Sequence, residues 1–209
     1  MADGILVVGA GGHGKVVAAT LLASGIDVAG FLDDDREKWG RELLERPVLG
    51  PLSEGERYRG RLAVLGIGDN ALRRRVALEL GRSLTWTRAI HPSASVHPSV
   101  VVGAGTVVFA GAVVQADARL GEHVILNTGA TVDHDCVLGD FVHLCPGTHL
   151  AGGVIVEQGA MLGIGAVVIP GVLIGEEAIV GAGAAVTSNV PRGAVVGGVP
   201  ARPLARRER

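Results

Sequence analysis

From Ile90 to Val186 every sixth residue is a branched aliphatic, seventeen in succession without one insertion. Four places after each of the first sixteen, from Ala94 to Ala184, stands a residue no larger than Val. A period of six matches neither the 3.6 of a helix nor the 2 of an ordinary strand. It is the hexapeptide period of a parallel β-helix, in which the aliphatic fills the interior and the small residue lets the chain pass close to it. Gly103, Gly121, Gly139 and Gly175 fall on an 18-residue step that only Glu157 interrupts. Eighteen residues per coil imply three faces, and positions 90 to 189 then make roughly five and a half coils. The unbroken count predicts a prism whose sides no loop of its own covers.

Composition agrees. Aromatics are 3% of the 209 residues while Gly supplies 33, so the core is Val, Leu, Ile and Ala in a repeated narrow geometry. Gly does not fall at every third place, which excludes collagen. Residues 90 to 189 carry one basic and eight acidic residues, against 13 and 12 in residues 1 to 89. That contrast predicts two domains, 1–89 and 90–209. The basic end, Arg202 to Arg209, reads as solvated, and no basic patch with interleaved aromatics suggests nucleic acid. Apolar runs stay short of the ~18 residues of a membrane span, and the start has no basic leader or cleavage site, so a soluble cytoplasmic protein is expected. Cys136 and Cys145, nine apart, form neither a disulfide framework nor a metal pair and read as packing residues.

Residues 1 to 89 alternate strand and helix. Strands are expected at Ile5–Val8, Val28–Leu32 and Leu62–Ile67, and helices at Lys15–Leu22 and Ala71–Leu80, the order of a small Rossmann-like parallel sheet. Gly9, Gly11 and Gly14 form G-x-G-x-x-G between the first strand and its helix, with acids some twenty residues on. Such a turn brings backbone N–H groups and a helix N-terminus to a phosphate. The alternative is glycine used only for tight strand-to-helix packing. Eighty-nine residues hold half of a dinucleotide fold, which favours a mononucleotide over NAD.

Five segments, in order, carry a family resemblance: Gly9-Ala10-Gly11-Gly12-His13-Gly14-Lys15, Phe31-Leu32-Asp33-Asp34, Ile67-Gly68-Asp69-Asn70, the stretch Asn127 to Cys136, and Gly198-Val199-Pro200-Ala201. Together they resemble the sialic-acid O-acetyltransferase and nucleotide-amino-sugar N-acetyltransferase family over nearly the whole chain. The resemblance implies a Rossmann-like nucleotide-sugar domain followed by a left-handed β-helix, a homotrimer and acetyl-CoA as co-substrate, with no metal. It places a catalytic base on His134 and its supporting acid on Asp135. Acetyl-CoA contacts fall on His143, Gly152, Ile164 and Ala182, and nucleotide-sugar contacts on Gly11, Gly12, His13, Asp33, Asp34 and Gly68.

The residue types suit that chemistry. Moving acetyl from a thioester to an amine or hydroxyl requires a proton acceptor at neutral pH, which an imidazole provides. Asp135 stands next in the chain to hold its tautomer, and Gly152 follows His134 by one coil, where its N–H could face the thioester oxygen. Of the other histidines, His91 and His97 precede prolines and are expected to shape the start of the prism. His123 and His149 show no partner one coil away. Three function classes stand: a nucleotide-amino-sugar N-acetyltransferase, with sialic-acid O-acetylation as its close alternative; a β-helix carbonic anhydrase using His134, His143 and His149; and a non-enzymatic scaffold.

Overall fold

The computed structural model describes residues 4–204; the last five residues of the basic end lie outside them. Strand β1 (Ile5–Val8) is wholly buried, and α1 (Gly12–Ala23) crosses over to β2 (Val28–Leu32), which pairs with β1 in parallel. Then come β3 (Glu42–Leu43), β4 (Arg46–Gly50), β5 (Leu62–Leu65), α2 (Asn70–Leu80) and β6 (Thr85–Trp86). The sheet order is β3-β4-β2-β1-β5-β6, parallel except for the β3–β4 hairpin. Both helices begin earlier than the apolar pattern suggests, α1 at Gly12 and α2 at Asn70, because Gly11 and Asp69 are the N-caps; the Asp69 carboxylate accepts the Leu72 N–H at 2.8 Å. The sequence pattern misses three strands. β3 and β6 have two residues each, and β4 carries Pro47, which reads as a strand breaker.

From Ala89–Ile90 onward, two-residue strands recur every six residues to Ala185–Val186, and Val195–Gly197 adds a last rung. They stack in parallel into three sheets, joining residues 18 apart such as Val107 to Ile125 and Thr131 to His149. We call the face that starts at Ala89 the first, that from Ser95 the second and that from Val101 the third. The path is a left-handed β-helix. The aliphatic register is its interior: Val108, Leu126, Leu144 and Leu162 are fully buried, as are the small residues Ala112, Ala130 and Ala166. Burying each aliphatic contributes about 1.5–3 kcal/mol. At the 18-residue glycines no side chain fits, since a methyl on Gly139 would lie 2.7 Å from the Gln158 nitrogen one coil on.

A second six-residue rule operates at the corners. The backbone is left-handed at every sixth residue from 105 to 183, fourteen positions of which glycine fills nine. Asp117, His123, Asp135, Phe141 and Glu177 occupy the others, although this region costs a non-glycine residue about 1–2 kcal/mol.

The N-terminal sheet and its helices dock on the first face. Val17, Ala18 and Leu21 of α1 pack on its outward residues Ala89, Val107 and Ile125. Across from them, Arg73 of α2 is 1% exposed and forms no ion pair among the described residues. Its guanidinium donates to the carbonyls of His123 (3.1 Å), Phe141 (2.8 Å), Ile67 (3.2 Å) and Gly68 (3.1 Å) and to Asn70 Oδ1 (2.8 Å). Burial pushes its pKa down to about 10, so it stays charged at neutral pH. One buried cation thus joins α2, the Gly68 loop and two coils. The second and third faces stay open, with Val101 at 56%, Val137 at 40% and Ile155 at 44% exposure. Replacing Arg73 by Met orphans four carbonyls, and chemical denaturation is expected to show a loss of about 3 kcal/mol or more. A loss under 1 kcal/mol would show that the domains hold together without it.

Candidate active site

Two corners of the prism gather most of the candidate site residues. At the corner between the second and third faces, the turn after Thr131–Val132 presents His134, its side chain 63% exposed. The Asp133 carboxylate accepts the His134 backbone N–H at 2.8 Å. Asp135 takes the left-handed position (φ 60°) that most coils give to glycine, which turns its carboxylate back onto His134 Nδ1 at 2.7 Å. That bond, helped by the charge of Asp133, raises the imidazole pKa above its ordinary value. With Nδ1–H donated to Asp135, the free lone pair sits on Nε2. Gly152 lies directly over the ring, since a methyl there would be 2.6 Å from Nε2. Its N–H has no partner among the described residues. The corner therefore holds a proton acceptor beside a vacant backbone donor.

The corner between the first and second faces holds the other group. His143 Nδ1 lies 3.2 Å from the Gly68 carbonyl and Nε2 lies 3.4 Å from Asn127 Nδ2. The His13 ring is 6.1 Å from that of His143 and meets Phe109 edge-on at 5.3 Å, and its Nε2 has no partner. Burial first, and the Arg73 charge with it, lowers the pKa of His13 and of His143 to about 4. Both rings are neutral at physiological pH. Ile164 and Ala182, one coil apart, are exposed at this corner, and the Gly183 N–H bonds the Ile164 carbonyl. Of the four expected acetyl-CoA contacts, Gly152 is on the His134 corner, Ile164 and Ala182 are on this one, and His143 is on the first face beside it.

In the glycine turn the residues divide by role. Gly9 (φ 108°) and Gly14 are required by packing, because a methyl on Gly14 would overlap the Gly9 carbonyl. A methyl on Gly11 or Gly12 would meet nothing within 4 Å, so those two leave the backbone open from outside. Asp33 also has partners within the protein. Its carboxylate accepts the N–H groups of Ala10 (2.6 Å) and Asp35 (2.9 Å) and pairs with Lys38 at 3.1 Å. These partners outweigh its partial burial and lower its pKa. Asp34 spends one oxygen on the Leu52 N–H. Asp33 thus holds the glycine turn in place.

Two other histidines are corrected. His123 is 3% exposed and stacks on Phe141, 18 residues on, at 5.1 Å, with Trp86 edge-on at 5.2 Å. His149 Nδ1 meets Thr131 Oγ1, 18 residues back, at 2.9 Å. Both have partners one coil away, missed because the sequence reading sought like residues rather than a ring or a hydroxyl. His91 and His97 each bond the Ser two places on. His134, His143 and His149 are each held by a different partner, and among the described residues no three His, Cys, Asp or Glu side chains gather as a metal site. Asn127, Arg73 and the left-handed Asp135 carry site geometry that the sequence reading passed over; Asp135 was legible as a non-glycine in the second six-residue register.

A coiled prism with an acid-supported histidine at its corner defines a hexapeptide-repeat acyltransferase. Residues 4–80 match the PglD N-terminal domain family. The acetyltransferase domain of PglB from Neisseria gonorrhoeae, also solved with acetyl coenzyme A, is 38% identical over 97% of this chain and all of that one, with a TM-score of 0.92. PerB from Caulobacter crescentus, solved with CoA and GDP-perosamine, is 42% identical over 97% of both chains, with a TM-score of 0.89. WeeI from Acinetobacter baumannii is 28% identical over 96% of this chain and 99% of that one, at 0.84. An uncharacterised protein of Acanthamoeba polyphaga mimivirus is 31% identical over 122 residues; the chain spans about a quarter of that curated relative's length. The chain belongs to the hexapeptide family of nucleotide-amino-sugar acetyltransferases.

The His134–Asp135 pair sets a titration. A raised pKa means that His134 is protonated, and unable to accept a proton, up to a higher pH than an ordinary histidine. Asp135→Asn removes the main cause and should lower the pKa of His134, read by NMR of the ring. An unchanged midpoint would show that Asp135 does not act on the ring.

Proposed function

We propose that the protein transfers the acetyl group of acetyl-CoA to the amino group of a nucleotide-linked sugar, with His134 as general base. The observation that carries this reading is the Nε2 lone pair of His134, fixed by Asp135, beside Gly152, whose N–H has no partner among the described residues. The neutral amine attacks the thioester carbonyl while Nε2 takes its proton. The carbonyl oxygen gathers negative charge, which the Gly152 N–H stabilises in this reading. Collapse breaks the C–S bond, and the proton on His134 passes to the leaving thiolate. Products are the acetamido sugar and CoA.

The nucleotide end belongs at Gly11, Gly12, His13 and the Gly68 loop, on the corner opposite the base. Asn127 and His134 lie on one coil, at nearly the same height along the prism. Rotation about an axis parallel to the prism keeps height and exchanges corners, so a threefold assembly sets the His134 corner of one copy against the nucleotide corner of the next. The bare Val101, Val137 and Ile155 on the third face support burial between copies. We therefore read the enzyme as a homotrimer with its sites between subunits. No helix among the described residues is long and apolar enough to cross a membrane, and both cysteines are free, as suits the cytoplasm.

A thiol-release assay over UDP-, GDP- and dTDP-linked amino sugars and free sialic acids tests the reading. Turnover is expected with an amino sugar carried on a nucleotide; turnover with free sialic acid alone would transfer the reading to O-acetylation. His134→Ala should lower kcat by about 10² to 10⁴ with acetyl-CoA affinity nearly kept. Light scattering should give three times the chain mass, and a fully active monomer would exclude the shared site.

A further inference from the structure

Beyond the glycine turn, a cleft of about 260 Å³ continues along the N-terminal domain, away from the prism. One end is Gly9 with Asp33, held by backbone and Lys38, and Asp34, which gives one oxygen to the Leu52 N–H. Leu52 and Ser53 form one wall. The facing wall is a single stripe of α2, Leu72, Arg75, Val76 and Glu79, at the i, i+3, i+4, i+7 spacing of one helix face. The stripe spans roughly 10 Å, seven residues at about 1.5 Å each, which suits a nucleoside lying outward from a diphosphate at the turn. Leu52 and Leu72 offer apolar surface to the flat faces of a heteroaromatic ring, over the buried Val76.

The charged groups that α2 turns toward the ring's edge are two and of opposite sign. Arg75 and Glu79 are both exposed, and neither forms a hydrogen bond or ion pair with any described residue or with the other. Their helix neighbours differ: Arg73 is buried in five hydrogen bonds and Arg74 pairs with Glu177. The two side chains turned into the cleft are thus the ones without work elsewhere.

We propose that this cleft selects guanine, with Glu79 accepting from the base's N1–H and exocyclic amino group and Arg75 donating to its O6 and N7. This deepens, and rests on, the nucleotide-sugar reading above. Guanine is the common base that sets two neighbouring donors beside two acceptors, the complement of a carboxylate and a guanidinium. Uracil and thymine present one N–H between two carbonyl oxygens, so a carboxylate meets an acceptor whichever way the ring turns. Adenine puts the bare N1 where guanine has N1–H. A site built to pair a hydrogen-bonding edge discriminates chiefly by what the wrong ligand leaves unpaired or repelled.

Calorimetric titration of the full chain with GDP, UDP, dTDP and ADP tests this directly. GDP should bind at least tenfold tighter than the other three. Glu79→Gln, an exposed change that should leave the melting temperature unaltered, should weaken GDP roughly 5- to 150-fold, the range for losing one bidentate base contact, and leave UDP within about twofold. Tighter binding of UDP, dTDP or ADP than of GDP would overturn guanine selection and leave the nucleotide-sugar reading standing. An equal loss for all four nucleotides in the Glu79 variant would overturn the base-reading role. If none of the four binds the wild-type protein, the nucleotide-sugar reading itself fails.

Discussion

The structure depends on the close passage of each coil over the one 18 residues before it. Parallel strands two residues long cannot persist alone; they hold because each joins a ladder running the length of the prism, around a column of Val, Leu and Ile. Close passage allows no side chain at the stacked glycines and only small ones beside the interior aliphatics. The corners then have to turn in a left-handed conformation, which most coils assign to glycine. A prism so regular presents flat sides and repeated corners, and five of those corner positions break the glycine rule. Asp135 is such a break, and the same backbone geometry that strains it aims its carboxylate at His134.

The second constraint is the docking of the N-terminal domain on one face alone. Arg73 reaches the Gly68 loop and the coils of His123 and Phe141 at once, so that loop is referenced to the prism rather than left to float. The same cation, with burial, keeps His13 and His143 neutral. Covering the first face leaves the other two bare.

Much of this was legible in residue order. The aliphatic column, the small-residue column and the stacked glycines follow directly from period, because in a solenoid each residue's neighbours are set by a constant offset. His134 and Asp135 were legible by motif. At Asp33 residue order is ambiguous: a carboxylate ending a strand beside a glycine turn suits a ligand and the turn's own N–H equally, and only the fold shows the bond it makes to Ala10 N. His123 was misread because its environment comes from Trp86 in the other domain as well as from Phe141 one coil on.

The sequence alone determines the coil, its core and the identity of the histidine-acid pair, since these depend on contacts at fixed separations of six and eighteen residues. Tertiary structure decides which face the N-terminal domain covers, that Arg73 is buried with no ion pair among the described residues, and that His134 and the His13–His143 pair stand at different corners. Those facts depend on the angle at which two separately folded layers meet. No periodicity encodes that angle; it is set by the packing of Val17, Ala18 and Leu21 on Val107 and Ile125, and by the carbonyls that one guanidinium can reach.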